Sequence, residues 1–255
     1  MRINPKKSLG QNFLIDKNIV KKIIEALNLS SADNILEIGS GKGEITSLIA
    51  SKVNKIYALE LDARLKDTLE KELKGHDNAR VIMQDILKLD LDKLLSPEEK
   101  IKVFGNIPYY ISSPIIEYLI SHRRHIEKAL ITVQKEFAKR VVASPGAKDY
   151  GSLSFFVQYY CLPEIVFHIN KGCFYPVPKV DSSLLSLTFR AQPAFYVKDE
   201  ELFFRLIRSA FNQRRKTLKN SLKGIANTEE IGSFVNKRPE DLSLEDFATL
   251  ANRIA

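Results

Sequence analysis

The sequence has only two cysteines in 255 residues, Cys161 and Cys173. Two cannot build a disulfide framework, and no Cys/His cluster has the spacing of a zinc site. No metal is expected, and a reducing compartment fits. No segment is long and apolar enough to span a bilayer. The opening Met1-Arg2-Ile3-Asn4-Pro5-Lys6-Lys7 lacks the apolar run of a signal peptide. Internal repeats and low-complexity tracts are missing too. These absences argue against disulfide-scaffold and metal-centre classes, and a cytoplasmic globular protein is expected.

What is present is a core-forming 44% of hydrophobic residues and a net charge of +8. The pI is near 9.3. Such a balance favours a polyanionic partner, nucleic acid before acidic membrane, over the alternative of a basic protein with a merely solvated surface. The length suits one domain with an appendage.

A polar leader, Ser8-Leu9-Gly10-Gln11-Asn12-Phe13-Leu14, comes first. Asp16 then reads as an N-cap for a helix carrying Ile19, Val20, Ile23, Ile24 and Leu27. Next, the apolar strand Ile35-Leu36-Glu37-Ile38 runs into Gly39, Gly41 and Gly43 and on into a helix. Glycines at a strand-to-helix turn permit close backbone approach to a ligand. The Gly-x-Gly-x-Gly spacing is neither that of dinucleotide binders nor that of a phosphate loop. Glu37 reads as a polar group beneath the glycine turn. A second strand, 55–59, ends at Glu60, about 20 residues beyond the glycines, where nucleotide-type folds hold ribose hydroxyls. A third, 80–85, ends at Asp85, which can accept from an adenine amine or merely cap the next turn.

A fourth strand, 101–104, leads to Gly105-Asn106-Ile107-Pro108-Tyr109-Tyr110. Gly105 lets the chain turn and Pro108 fixes the backbone. Asn106 is left with its amide side chain free, beside the aromatic face of Tyr109. Amide, rigid carbonyls and ring together suit a planar base with an exocyclic amine. Alone, the motif reads equally well as a strand end followed by a proline turn. Strands at 128–133, 164–169 and 184–189 complete the sheet, the last two as a hairpin pair. Between those two, Phe174 and Tyr175 precede Pro176 and Pro178. They are candidates for stacking, though composition favours a core plug. From Pro193 onward the pattern is helical, with Arg214, Arg215, Lys216 and Lys219 on a basic edge. The alternation implies a doubly wound, mostly parallel α/β sheet of seven strands. The domains expected are 1–192, with 1–15 as a flap, and a helical 193–255.

The stretches 8–14, 36–43, 106–109, 134–140, 150–154 and 174–182 occur in the order found in the small-subunit ribosomal RNA adenine dimethyltransferases, and nearly the whole chain resembles that family. The resemblance implies S-adenosylmethionine as methyl donor and S-adenosylhomocysteine as product. It places Asn12, Leu14, Gly39, Glu60, Asp85 and Asn106 at the donor, with Gly41 and Ile86 beside them. It assigns catalysis to Asn106, Pro108, Tyr109 and Phe174, the target adenine lying between Tyr109 and Phe174. That turns Phe174 from plug to stacking ring. The implied substrate is a pair of adjacent adenines in the 3′-terminal hairpin loop of small-subunit rRNA. The implied partner is a pre-30S-like particle, met by a monomer whose basic edge docks on RNA. The related large-subunit resistance methyltransferases, and a non-enzymatic ribosome-assembly protein on the same fold, are the competing readings. The Pro-x-Pro-Lys-Val-Asp-Ser stretch favours the small-subunit branch.

Overall fold

The computed structural model describes residues 4–255. The first three residues of the expected flap lie outside them. The chain forms two compact units. One comprises the residues up to Ala138 together with Glu164–Phe189, and the other Lys139–Pro163 with Arg190–Ala255. The units therefore do not follow a single cut near residue 192.

The strands are β1 (Phe13–Leu14), β2 (Asn34–Ile38), β3 (Lys55–Glu60), β4 (Ala79–Met83), β5 (Ile101–Asn106), β6 (Ile126–Gln134), β7 (Cys161–Ile169), β8 (Phe174–Tyr175) and β9 (Ser182–Phe189). Seven of them form one sheet in the order β4-β3-β2-β5-β6-β9-β7. Pairings from β4 through β6 are parallel, and β9 runs antiparallel to β6. This is the mostly parallel seven-stranded sheet expected. The central strands are buried runs, as parallel strands covered on both faces must be. Within β5, Gly105 does not turn the chain. A Cβ there would lie 2.8 Å from Ile107 Cγ2 and 3.2 Å from Ile38 Cβ. Glycine at 105 thus serves the close packing of β2 against β5.

Helix α1 (Lys17–Leu27) starts where Asp16 accepts from the backbone N–H groups of Asn18 and Ile19. It ends at Asn28, in the left-handed region at φ 47°. Its Ile23 and Leu27 are fully buried in a core with Ile35, Phe104, Leu130 and Leu184. Each such side chain contributes roughly 1.5–3 kcal/mol. Helix α2 (Glu44–Ala50) follows the glycines and adds Ile49 to the same core.

The second unit is built on aromatics. Periodicity assigns no element to Ser152–Tyr160, which folds as helix α3. Phe155 packs at 5.4 Å from Phe211 of helix α4 (Glu200–Asn212) and 5.0 Å from Phe247 of helix α5 (Leu244–Ile254). Tyr150 donates its hydroxyl to the Leu242 carbonyl. These contacts group 139–163 with the C-terminal helices.

Candidate active site

In this strand order the chain leaves β2 toward β3 and returns to β5 on the other side. The crevice beyond the carboxyl ends of β2 and β5 is thus the topological switch point, where open α/β sheets hold ligands. A cleft of about 810 Å³ lies there. It is lined by Gly39, Gly41, Glu60, Asp85, Ile86, Asn106, Pro108 and Tyr109 among the anticipated residues, and by Asn12 of the leader. Leu14 and Phe174 do not line it. A second cavity, of about 530 Å³, lies beyond Gly39 and Asn106 and has Leu14 and Glu37 in its wall.

The leader packs over the glycine turn. Gly41 has φ +59°, and a Cβ on it would meet the Phe13 ring at 3.2 Å. Gln11 donates to Asp62 across 3.0 Å, and Asp62 also receives the Arg64 guanidinium. Arg64 holds the Asp62 carboxyl down to about 2. Sequence reasoning missed this anchor, because Gln11 and Asp62 share no motif.

Glu60, at the end of β3, is buried. Its Oε2 accepts from Gly41 N at 2.8 Å, and its Oε1 from Leu61 N and Asp62 N, both at 2.8 Å. Three of about four lone-pair sites are thus used by backbone. One remains for a ligand hydroxyl. Asp85 does cap a turn, its Oδ1 accepting from Leu87 N at 3.0 Å, while it faces the cleft. Glu37 lies beneath the glycine turn. Thr46 donates to it, and burial pushes its carboxyl up to about 7, with Glu60 nearby adding to the rise.

The Asn106 side chain is not free, contrary to expectation. Its Oδ1 accepts from Thr132 Oγ1 at 2.6 Å, and its Nδ2 donates to the Asn12 carbonyl at 2.8 Å. The register of β5 on β6 sets Asn106 opposite Thr132. One lone pair of Oδ1 remains for a ligand. Tyr109 is fixed through its hydroxyl, 2.5 Å from Ser182 Oγ. Burial raises that hydroxyl's pKa above its ordinary value.

Phe174 needs correction. β8 pairs antiparallel with β1, setting Leu14 opposite Phe174 and Phe13 opposite Tyr175. Phe174 is 1% exposed, in the core with Leu14, Ile23 and Phe104. With the leader paired this way Phe174 offers no face to a base, and the composition-based plug describes it. Tyr175 is the exposed member, at 58%.

In the helical unit, Arg215, Lys216 and Lys219 are exposed. Arg214 is differently placed: it pairs with Glu240 at 2.5 Å and donates to the carbonyls of Ala147 and Lys148. Three of its five N–H groups thus tie it to Glu240 and to the 144–149 loop.

Sheet order, glycine turn and strand-end acids define a Rossmann-like methyltransferase fold. The family model "Ribosomal RNA adenine dimethylase" matches residues 2–255. The chain belongs to that family and is an rRNA adenine methyltransferase. "Ribosomal RNA small subunit methyltransferase A" of Clostridium botulinum (strain Loch Maree / Type A3) is 40% identical, over 97% of this chain and 93% of the relative. A crystal structure of a dimethyladenosine transferase from Plasmodium falciparum superposes with a TM-score of 0.81 at 28% identity, covering 93% of this chain and 95% of that one. The 23S rRNA methyltransferase ErmE superposes with a TM-score of 0.75 at 27% identity, covering 95% and 99%.

Proposed function

We propose that the chain dimethylates the 6-amino groups of two adjacent adenines in the 3′-terminal hairpin loop of small-subunit rRNA, acting as a cytoplasmic monomer on a pre-30S-like particle. S-adenosylmethionine, when bound, supplies a methyl group on a sulfonium. The residues present fit that donor. At Gly39, which lines the cleft, a Cβ would meet only the Asn106 carbonyl, at 3.6 Å, so backbone there stays open to a ligand. Glu60 keeps one acceptor site for a ribose hydroxyl, and Asp85 faces the same cleft toward an adenine amine.

The observation that carries the reading is the Thr132–Asn106–Asn12 chain of hydrogen bonds at the cleft. Adenine's 6-amino group is a weak nucleophile because its lone pair is delocalised into the ring. Asn106 Oδ1 would accept one amine hydrogen and the Ile107 carbonyl the other, localising that lone pair. Pro108 stiffens the turn, and Tyr109 holds the ring. No dedicated base is needed, since the amine becomes acidic once methylated. The small-subunit substrate is supported by relatives 40%, 41% and 42% identical over nearly the whole chain, each named as a small-subunit rRNA methyltransferase. Asn106→Ala is expected to cut methyl transfer to undermethylated small subunits by about two orders of magnitude or more, comparable to removing a positioned polar donor elsewhere. Mass spectrometry of the modified hairpin reads the product, and near-normal dimethyladenine would end this reading.

A further inference from the structure

Three aromatic side chains line the cleft: Phe13, Tyr109 and Tyr110. Two have structural duties. Phe13 covers Gly41, and Tyr109 is anchored on Ser182. Tyr110 is different, being 64% exposed while still lining the cleft. It therefore stands at the mouth.

Its position is fixed. Tyr110 sits in a single 3-10 turn, Tyr109–Ile111, directly after Pro108. Ile111 N donates to the Pro108 carbonyl at 3.2 Å, and Ser112 Oγ to the Tyr109 carbonyl at 3.0 Å. One ring edge rests on the leader: a Cβ built on Gly10 would lie 3.0 Å from Tyr110 Cε1 and 3.2 Å from its Cδ1. The ring is thus held along an edge and open over most of its surface. Phe174 is buried, so the expected second aromatic of the site is not at the cleft.

An adenine drawn out of an RNA strand into the cleft leaves its neighbours at the mouth, each short of a stacking partner. A fixed, exposed ring there can replace that partner for any base, since every base has a π-face. We propose that Tyr110 is a positioning residue whose ring stacks on a nucleobase flanking the adenine that enters the cleft. The proposal rests on the RNA-methylating function argued above and adds to it a contact outside the reacting base.

The test uses the full chain, undermethylated small ribosomal subunits, and the variants Tyr110→Ala and Tyr110→Phe. Tyr110→Ala is expected to raise KM for the subunits about tenfold. The kcat and the calorimetric affinity for S-adenosylmethionine should stay as in the unaltered chain. Tyr110→Phe should behave as the unaltered chain, because stacking needs the ring and not the hydroxyl. An unchanged KM for Tyr110→Ala would overturn the proposal. So would an equal loss of donor affinity, which would assign the ring to the donor's side, or a Phe variant as weak as Ala. Binding of an oligoribonucleotide carrying 2-aminopurine beside the target adenine gives a second readout that needs no turnover. If the unaltered chain transfers no methyl group, the function fails. The stacking proposal is then still judged by whether Tyr110→Ala loses the affinity and the quenching that the unaltered chain shows.

Discussion

Replacing Thr132 by valine isolates what the buried hydroxyl does for Asn106. The side chains have nearly the same shape, and Thr132 is wholly buried, so packing is kept while one donor is lost. That donor lies 2.6 Å from Asn106 Oδ1. Among the described residues the other acceptor in reach is the Gly105 carbonyl, which at 3.5 Å competes poorly for a single hydroxyl proton. A neutral hydrogen bond is worth a net 0.5–1.5 kcal/mol or so. If all of it is spent on aiming the amide, the rate of transfer falls about two- to thirteenfold. Asn106→Ala, which removes the acceptor itself, should cost far more. Single-turnover methyl transfer at saturating donor measures the difference, with Thr132→Ser as the control that keeps the hydroxyl. A valine variant as fast as the unaltered chain would show that the Asn12 carbonyl alone orients Asn106. A serine variant as slow as valine would trace the loss to packing instead.

Glu37 makes stability depend on pH. Its carboxyl rises from 4.5 to about 7 on folding, so between those values the native chain holds a proton that the unfolded chain has lost. This contribution is fully present below pH 4.5 and disappears as pH rises through 7, a change of roughly 3 kcal/mol. Glu37→Gln, unfolded by denaturant from pH 4 to 8, should lose that slope relative to the unaltered chain. On the helical unit, neutralising Arg215, Lys216 and Lys219 together should lower the slope of log binding constant against log salt by about 0.7–0.9 per lost phosphate contact. Arg214→Ala, whose side chain is tied to Glu240, should leave that slope alone and lower the melting temperature.

Most of the sheet was legible because β2, β3 and β5 are apolar runs that stop at a glycine, an acid and an asparagine. A strand buried on both faces has no alternation to misread, and its polar end marks the ligand side. The α3 helix was not legible. Ser154, Phe155, Val157, Tyr159 and Tyr160 are all buried, so no stripe separates one face from another. β1 and β8 have two residues each, too few for any period. Thr132 was hidden for another reason. A threonine in an apolar strand looks like ordinary β-branched filling, and only the pairing of β5 with β6 reveals its partner.

The burial of Phe174 and the bonded amide of Asn106 both depart from the sequence expectation, and the leader bears on both. Pairing of β1 with β8 buries Phe174, and the residue just before β1, Asn12, presents the carbonyl that receives the Asn106 amide. Gln11 on Asp62 holds the same segment from the other side of the cleft. A flap that merely covered the donor would leave the acceptor on β5 unchanged when it moved. This leader cannot, because shifting residues 11–14 breaks the hydrogen bond to Asn106 Nδ2 and uncovers Phe174 together. The orientation of Asn106 and the burial of Phe174 are therefore two readings of one leader position. Asn106 answers to Thr132 within the sheet and to Asn12 outside it, and only with both partners in place is the remaining lone pair of its oxygen fixed in direction.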